Sequence, residues 1–382
     1  MADKVLVVMP LSEWSVGDVR IRYPLGRLGE LKPGKWEIVV KGVVDLVPED
    51  FAHVSAVVLQ RLSSAFAGRL ATRLKQRGVP LVFEIDDLLW EIPGGLESAE
   101  PCRRKAGLLK QMLRQADAIT TSVPALAEEL REFNEDVTVI PNAIPRFERA
   151  SRRIESEKPT IVLAASDYMS ISDGLLKALR LLQRDGGIRI VVFGPTAKRL
   201  IAAELTVEVR EVCSLVTFQR QLAELGNATA ILPMEDSRFA KCKSPVKFWS
   251  FAEARIPMVV RDLGPYSGIA RHDENAWCVE ADDFDCWIKG IRVVVGDANR
   301  RKRFVDRATS DLPGIDTSAE CWDGLLDRVC VPSSVGADFT LPNAFEWRML
   351  KFPFMISKWR SFLRQTRSGG LVNAMRTLRK SQ

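Results

Sequence analysis

Residues 56–87, AVVLQRLSSAFAGRLATRLKQRGVPLVFEIDD, decide the fold. The apolar run Ala56–Gln60 leads into a stretch near Ser64–Arg77 with helical periodicity. The breaker Gly78-Val-Pro80 then precedes a second apolar run, Leu81–Ile85. The unit predicts strand, helix and strand, with both strands apolar throughout. Such strands belong to a parallel sheet covered by helices on both faces.

The same alternation extends in both directions. Upstream, Val5–Met9 and Glu37–Val40 read as strands. Downstream come a helix near Cys102–Ala116, a strand at Ala118–Thr121, and a helix over Ala125–Glu132 with Pro124 in its first turn. The strand Val137–Ile140 ends at Pro141-Asn142 and closes a doubly wound domain at residues 1–145. Residues 146–159, RFERASRRIESEKP, are charged and lack apolar periodicity, as befits a linker. The pattern restarts with the strand Thr160–Ala164, helix Gly174–Arg184, strand Ile188–Phe193 and helix Ala197–Leu205. A strand at Ser214–Phe218, a helix near Gln219–Leu225, the strand Thr229–Leu232, the helix Val246–Ala254, the strand Met258–Val260 and the helix Phe284–Val295 follow. These elements predict a second doubly wound domain over residues 160–330 and a tail at 331–382.

At 382 residues, with 46% hydrophobic and 27% charged residues, the chain suits two globular domains and excludes wholesale disorder. The start, Met1 to Pro10, has too short an apolar core for a signal peptide, and no stretch is apolar enough to span a bilayer, so a cytoplasmic protein is expected. The seven cysteines form no Cys-x-x-Cys pair, and His53 and His272 are the only histidines, which favours free thiols over disulfides or a metal. The net charge of +6 resides in the tail: residues 344–382 carry nine Lys or Arg against Glu346 alone, leaving the remainder at −2. No nucleic-acid-binding core is expected.

Ligands of open α/β sheets sit outside the carboxyl ends of the strands. The candidate loops are those after Met9, Ile85, Ala164, Phe193 and Leu232. At such positions stand Val57-Val-Leu-Gln-Arg61, Pro80-Leu-Val-Phe-Glu-Ile-Asp-Asp-Leu-Leu-Trp90, Ala116-Asp-Ala-Ile-Thr-Thr-Ser-Val123 and Val139-Ile-Pro-Asn-Ala143. Further along are Ile231-Leu-Pro-Met234, Lys243-Ser-Pro-Val-Lys-Phe248 and Ile256-Pro-Met-Val-Val260. In this order, over about residues 1–310, they resemble bacterial glycosyltransferases of the GT-B fold, family 4 (group 1). The resemblance implies two Rossmann-like domains facing across a cleft. It also implies a nucleotide-sugar donor on the second domain, a glycan or lipid-linked acceptor on the first, no metal cofactor, and retention of configuration in surface polysaccharide synthesis.

Asp86 stands where many members of that family carry a histidine that contacts the donor sugar, and Asp87 follows it. A carboxylate there suits a sugar hydroxyl, a base or an oxocarbenium-like centre, and equally a cap of the turn Leu88-Leu89-Trp90. Lys243 and Lys247 bracket the start of a helix whose free N–H groups suit a diphosphate. Ser244 between them, Gly194 after its strand, and Ser250 and Glu253 on the helix complete the donor-side candidates with Ser166 and Asp167. Where the family carries two glutamates eight positions apart, this chain has Cys242 and Ser250, and Glu253 is the candidate substitute for the second. Asp87 is a candidate on the acceptor side, as are Arg20 and Arg22 in the loop after the first strand, which read equally as plain surface arginines.

Several motifs mislead. Gly29–Lys35 starts like a phosphate-binding P-loop, but Trp36 replaces the Ser or Thr and the stretch precedes a strand. Asp283-Phe-Asp285 reads as a helix start with acidic residues suited to the dipole. Asn227-Ala-Thr229 is a formal sequon. In the tail, Met355, Trp359, Phe362 and Leu363, then Leu371, Val372, Met375 and Leu378, make apolar stripes beside arginines. They fit either a membrane interface or a helix packed back on the first domain. The alternatives to a transferase are a non-catalytic GT-B scaffold in a glycan-assembly complex, a GT-B epimerase and, least of all, a nicotinamide dehydrogenase, since residues 9–14 lack the glycine fingerprint.

Overall fold

The computed structural model describes residues 2–10, 15–93, 99–142, 144–147, 156–164, 171–211 and 213–331. Two six-stranded sheets, parallel throughout, form its centre. The first has the order β2-β1-β3-β4-β5-β6, built from Asp3–Met9 (β1), Trp36–Gly42 (β2), Val54–Gln60 (β3), Leu81–Glu84 (β4), Ala118–Thr121 (β5) and Val137–Val139 (β6). The second has the order β12-β11-β10-β7-β8-β9. Its strands are Thr160–Ala164 (β7), Arg189–Phe193 (β8), Glu208–Arg210 (β9), Ala228–Leu232 (β10), Met258–Arg261 (β11) and Trp277–Val279 (β12). All seven residues of β3 and all five of β7 are buried, which is why these segments read as unbroken apolar runs.

In each sheet the chain reverses its direction of travel once, between β1 and β3 in the first and between β7 and β10 in the second. A crevice opens outside the strand ends at such a switch point. The two crevices face each other, and the short helix Arg238–Lys241 of the second domain sends Phe239 into the core of the first.

The structure departs from the sequence reading at four places. Residues 15–31 are helical, including a π-helical turn at Asp18–Arg22, so Arg20 and Arg22 are not in a loop. Pro24 comes just after the π-helical turn, at the start of the α-helical segment Tyr23–Leu31, and interrupts the helical pattern in the sequence. Ser214–Phe218 is not a strand: Ser214 caps the helix Leu215–Ala223 by accepting from the Thr217 N–H, and the edge strand is Glu208–Arg210. β12 and the helix Ala298–Ser310 were not anticipated.

The fourth departure concerns the domain boundary. The helix Ile315–Val329, inside the segment drawn as the second domain, lies on the first. Its Ala319, Trp322, Leu325 and Leu326 share a core with Met9, Ile21, Leu25 and Trp36. Lys35 pairs with Asp323 and Asp327 at 2.8 Å each, and Ser318 donates to the Pro141 carbonyl at 2.7 Å. The return to the first domain therefore starts well before residue 331. The tail's apolar stripes lie outside the described residues. Asp283 caps the helix Phe284–Gly296 by accepting from the Cys286 N–H, as its acidic start predicts. No helix among the described residues is long and apolar enough to cross a membrane.

Candidate active site

The facing crevices enclose a cavity of about 660 Å³. Pro10, Asp86, Gly194 and Met234, each just after its strand, line it, as does Ala164 at the end of β7; the loop after Ala164 lies outside the described residues. It is large enough for a nucleotide-sugar-sized ligand.

On the first-domain side, β3 and β4 end next to each other and set two acidic residues against one arginine. Arg61 follows β3 with φ +49°, its backbone N–H donating to the Glu84 carbonyl at 2.9 Å. Its guanidinium meets Asp86 Oδ1 through Nε and donates to Asp87 Oδ2 through Nη2 at 2.8 Å. The other oxygen of Asp87 accepts from Lys243 of the second domain at 3.1 Å. Asp86 and Asp87 thus do not serve as caps of the turn that follows. The four side chains form an alternating chain of charge, Asp86–Arg61–Asp87–Lys243, across the cleft.

The two carboxyls respond oppositely. Burial pushes Asp86 up to about 7; Arg61 pulls it back, while Asp87 and Glu84 add to the rise. Burial also acts on Asp87, but Lys243 and Arg61 outweigh it and hold the group below the usual carboxylate range. Adjacent carboxyls whose environments separate their proton affinities characterise a reacting site more often than a structural one.

Beneath them lies a second buried pair. Arg20, 1% exposed, donates from Nε to Glu84 at 2.7 Å and from Nη1 to Asn142 Oδ1 at 2.9 Å and to the Ile140 carbonyl. Trp322 of the returning helix donates to the Arg20 carbonyl at 3.2 Å. Asn142 passes the connection on, donating to Ser244 Oγ at 2.8 Å across the domain boundary. Arg20 lines the cavity, whereas Arg22 turns away, pairs with Asp18 at 2.7 Å and borders a separate cavity with Met9, Lys41 and Asp45.

On the second-domain side, Lys243 and Lys247 lie on the cavity wall at the start of the helix Val246–Glu253. Lys247 Nζ sits 4.6 Å above the Phe218 ring, which meets Phe193 edge-on at 5.0 Å. Burial, reinforced by repulsion from Lys243, lowers its ammonium to about 8. Gly194, at φ +94°, turns the chain away from β8 at the cavity edge, a conformation that suits glycine. Ser250 also lines the cavity, its hydroxyl donating back to the Val246 carbonyl at 2.7 Å.

Glu253 is not brought to the cavity. One turn beyond Ser250, its carboxylate accepts from the Phe147 N–H at 3.1 Å and pairs with Arg146 at 2.9 Å, tying the helix to the interdomain connection. Ser166 and Asp167 lie outside the described residues. Among the described residues, no group of three or more His, Cys, Asp or Glu is placed to hold a metal ion. Arg61 and Asn142 belong to the site although the sequence reading gave them no role. The available signal was position: Arg61 directly follows a strand, and Asn142 comes shortly after another.

The fold and the interdomain cleft are those of GT-B proteins. Residues 10–143 match the family model described as a glycosyl transferase 4-like domain, so the first domain resembles that family. No curated protein sequence matches the chain. Among solved structures, Anabaena Alr3699/HepE in complex with UDP-glucose superposes with a TM-score of 0.59 at 12% identity, over 85% of this chain and 99% of that one. S. aureus MnaA in complex with UDP gives 0.50 at 11% identity, over 87% and 99%. A mutant of S. aureus TarM in complex with fondaparinux, alpha-GlcNAc-glycerol and UDP gives 0.54 at 10% identity, over 72% of this chain and 56% of TarM. The chain therefore spans little more than half the length of TarM, and at these identities the likeness is one of fold.

Proposed function

We propose that the protein is a glycosyltransferase that moves a sugar from a nucleotide-sugar donor, in the first instance a UDP-sugar, to a glycan or lipid-linked acceptor in surface polysaccharide synthesis. The observation that carries this reading is Lys247, a cation half removed from water on the cavity wall, facing the cleft beside a second lysine and a helix N-terminus. Placing an ammonium there is unfavourable until an anion arrives, and a diphosphate offers two negative groups to two lysines. The bound UDP and UDP-glucose of the fold neighbours point the same way.

In this reading Lys243 and Lys247 hold the diphosphate. The bond from the sugar's anomeric carbon to the phosphate oxygen breaks, and the acceptor hydroxyl oxygen bonds to that carbon on the same face. The acceptor's proton leaves on the departing phosphate, and configuration is retained. Asp86, ionised, accepts a hydrogen bond from the transferred sugar and opposes the positive charge that develops on its ring. The lysines supply the charge a metal supplies elsewhere, so transfer needs no added divalent ion. Arg20 and Asp87 border the acceptor's side of the cleft, and peripheral contact of the tail with the inner face of the cytoplasmic membrane would suit a lipid-linked acceptor. Incubating the protein with UDP-glucose and candidate lipid-linked acceptors, with and without EDTA, tests the reading; product in both supports it, and product only with a divalent ion removes metal independence.

The capture of Glu253 by the interdomain connection favours one other reading, a GT-B scaffold without turnover. Saturable nucleotide-sugar binding with no transfer to any acceptor would support it.

A further inference from the structure

Arg61 is held more firmly than a surface arginine needs to be. It occupies a left-handed backbone conformation, φ +49°, which is unfavourable for a residue with a Cβ. The hydrogen bond from its N–H to the Glu84 carbonyl fixes that conformation to the end of β4, the strand that also leads into Asp86. Its side chain is 12% exposed and lines the cavity, with Nε of the guanidinium against Asp86 Oδ1 and Nη2 donating to Asp87 Oδ2 at 2.8 Å. Arginine is suited to this task because its planar fork meets two acceptors at once, which a lysine cannot do.

The charges around Asp86 show what the fork does. Glu84 and Asp87 face it as acids, and Arg20 and Arg61 as cations, with Lys243 one step further along the chain. Arg20 is already engaged by Glu84 at 2.7 Å. Arg61 is thus the cation in contact with Asp86, and it shares itself with Asp87. A diphosphate that draws Lys243 away leaves Asp87 to Arg61 as well.

We propose that Arg61 is a positioning residue: it holds Asp86 ionised and oriented towards the transferred sugar, and through Asp87 it links that carboxylate to the donor-side Lys243. The proposal rests on the role given to Asp86 in the proposed transfer. It makes Arg61 matter to turnover more than to donor binding, because its guanidinium is engaged by carboxylates and Lys247 remains for the phosphates.

The test compares wild type, Arg61→Met and Arg61→Lys, each with and without Asp86→Asn. Two things are measured: thermal stability against pH, and the pH dependence of kcat, KM and UDP affinity. The difference in stability between each protein and its Asp86→Asn partner reports the protonation of Asp86 without any need for turnover. Arg61→Met is expected to move that titration, and the acid limb of kcat, upward by about one to three pH units. The corresponding loss of kcat near neutral pH is about fivefold or more, with UDP affinity within about threefold of wild type. Arg61→Lys should recover part of both shifts, and if Arg61→Met does not fold, Arg61→Lys alone should still show a smaller upward shift. An unmoved titration in either variant overturns the proposal, as does a loss of UDP affinity equal to the loss of kcat. If wild type transfers no sugar, the transferase reading fails while the stability titration still decides whether Arg61 governs Asp86.

Discussion

Replacing Lys247 with methionine should stabilise the empty protein and weaken donor binding, and the opposed signs are the point of the experiment. Methionine keeps the contact with Phe218 and removes the charge. Lowering the ammonium from 10.5 to about 8 means that the fold disfavours the charged form by about 3 kcal/mol. Water in the cleft reduces this, so a gain of about 1–3 kcal/mol near pH 7 is expected, seen as a rise of a few degrees in Tm. The sign follows from proton linkage. Below about pH 8 the native lysine is charged and the penalty is complete; between pH 8 and 10.5 the unfolded chain binds the extra proton and the penalty fades. The gain from methionine should therefore shrink as pH rises through that window. Against the gain stands the loss of a charge-assisted contact with the diphosphate, worth about 1.5–3 kcal/mol, or roughly 10- to 150-fold in Kd. Lys243 should matter less, by about tenfold at most, because it must first give up Asp87 at 3.1 Å. Calorimetric titration with UDP and thermal melts from pH 6.5 to about 10 measure both quantities. Unchanged UDP affinity in Lys247→Met, or a larger loss in Lys243→Met, would refute the reasoning.

The other predictions concern the first domain and the pH profile. Asp86→Ala should collapse turnover without unfolding the protein, and turnover like wild type would remove Asp86 from the mechanism. Because burial raises Asp86 to about 7, wild type should lose stability relative to Asp86→Asn as pH rises from about 4 to 7, and turnover should fall as pH drops below about 7; melts and initial rates across that range check both. Arg20→Met strands Glu84 as a buried charge and should cost about 3–5 kcal/mol in a urea titration, and a cost below about 1 kcal/mol would mean the pair is unimportant. Trp322→Ala should cost a similar amount, about 3–5 kcal/mol, if the Ile315–Val329 helix belongs to the first domain's core as its burial indicates.

Much of the architecture was legible because a doubly wound parallel sheet writes itself into sequence as apolar strands. β3, β4, β5, β7 and β10 appeared within a residue or two of their observed limits, since each is buried on both faces. The elements that escaped carry little of that signal. β9 is three residues, two of them charged, at a sheet edge, and the 15–31 helix is interrupted by a π-helical turn and a proline. The helix Ile315–Val329 was not read from the sequence, and no local rule says which domain such a helix will cover.

The site divides along the same line. Asp86, Asp87, Gly194, Lys243, Ser244, Lys247 and Ser250, all singled out in the sequence, line the cavity. What each side chain contacts depends on chain segments far apart in sequence. Lys243 finds Asp87 across 156 residues and Arg20 finds Asn142 across 122. Glu253 was assigned from its helical face alone, and the interdomain connection, whose course is a tertiary matter, took its carboxylate.

The central claim, a cleft built for a nucleotide-sugar, is tested most directly by titrating wild type and Lys247→Met with a panel of UDP-, GDP-, dTDP- and CMP-sugars, with and without Mg²⁺, and following the melting temperature. A saturable, selective rise with one donor class is expected, present without metal and weakened by at least about tenfold in Lys247→Met. A flat response of wild type across the whole panel would contradict it.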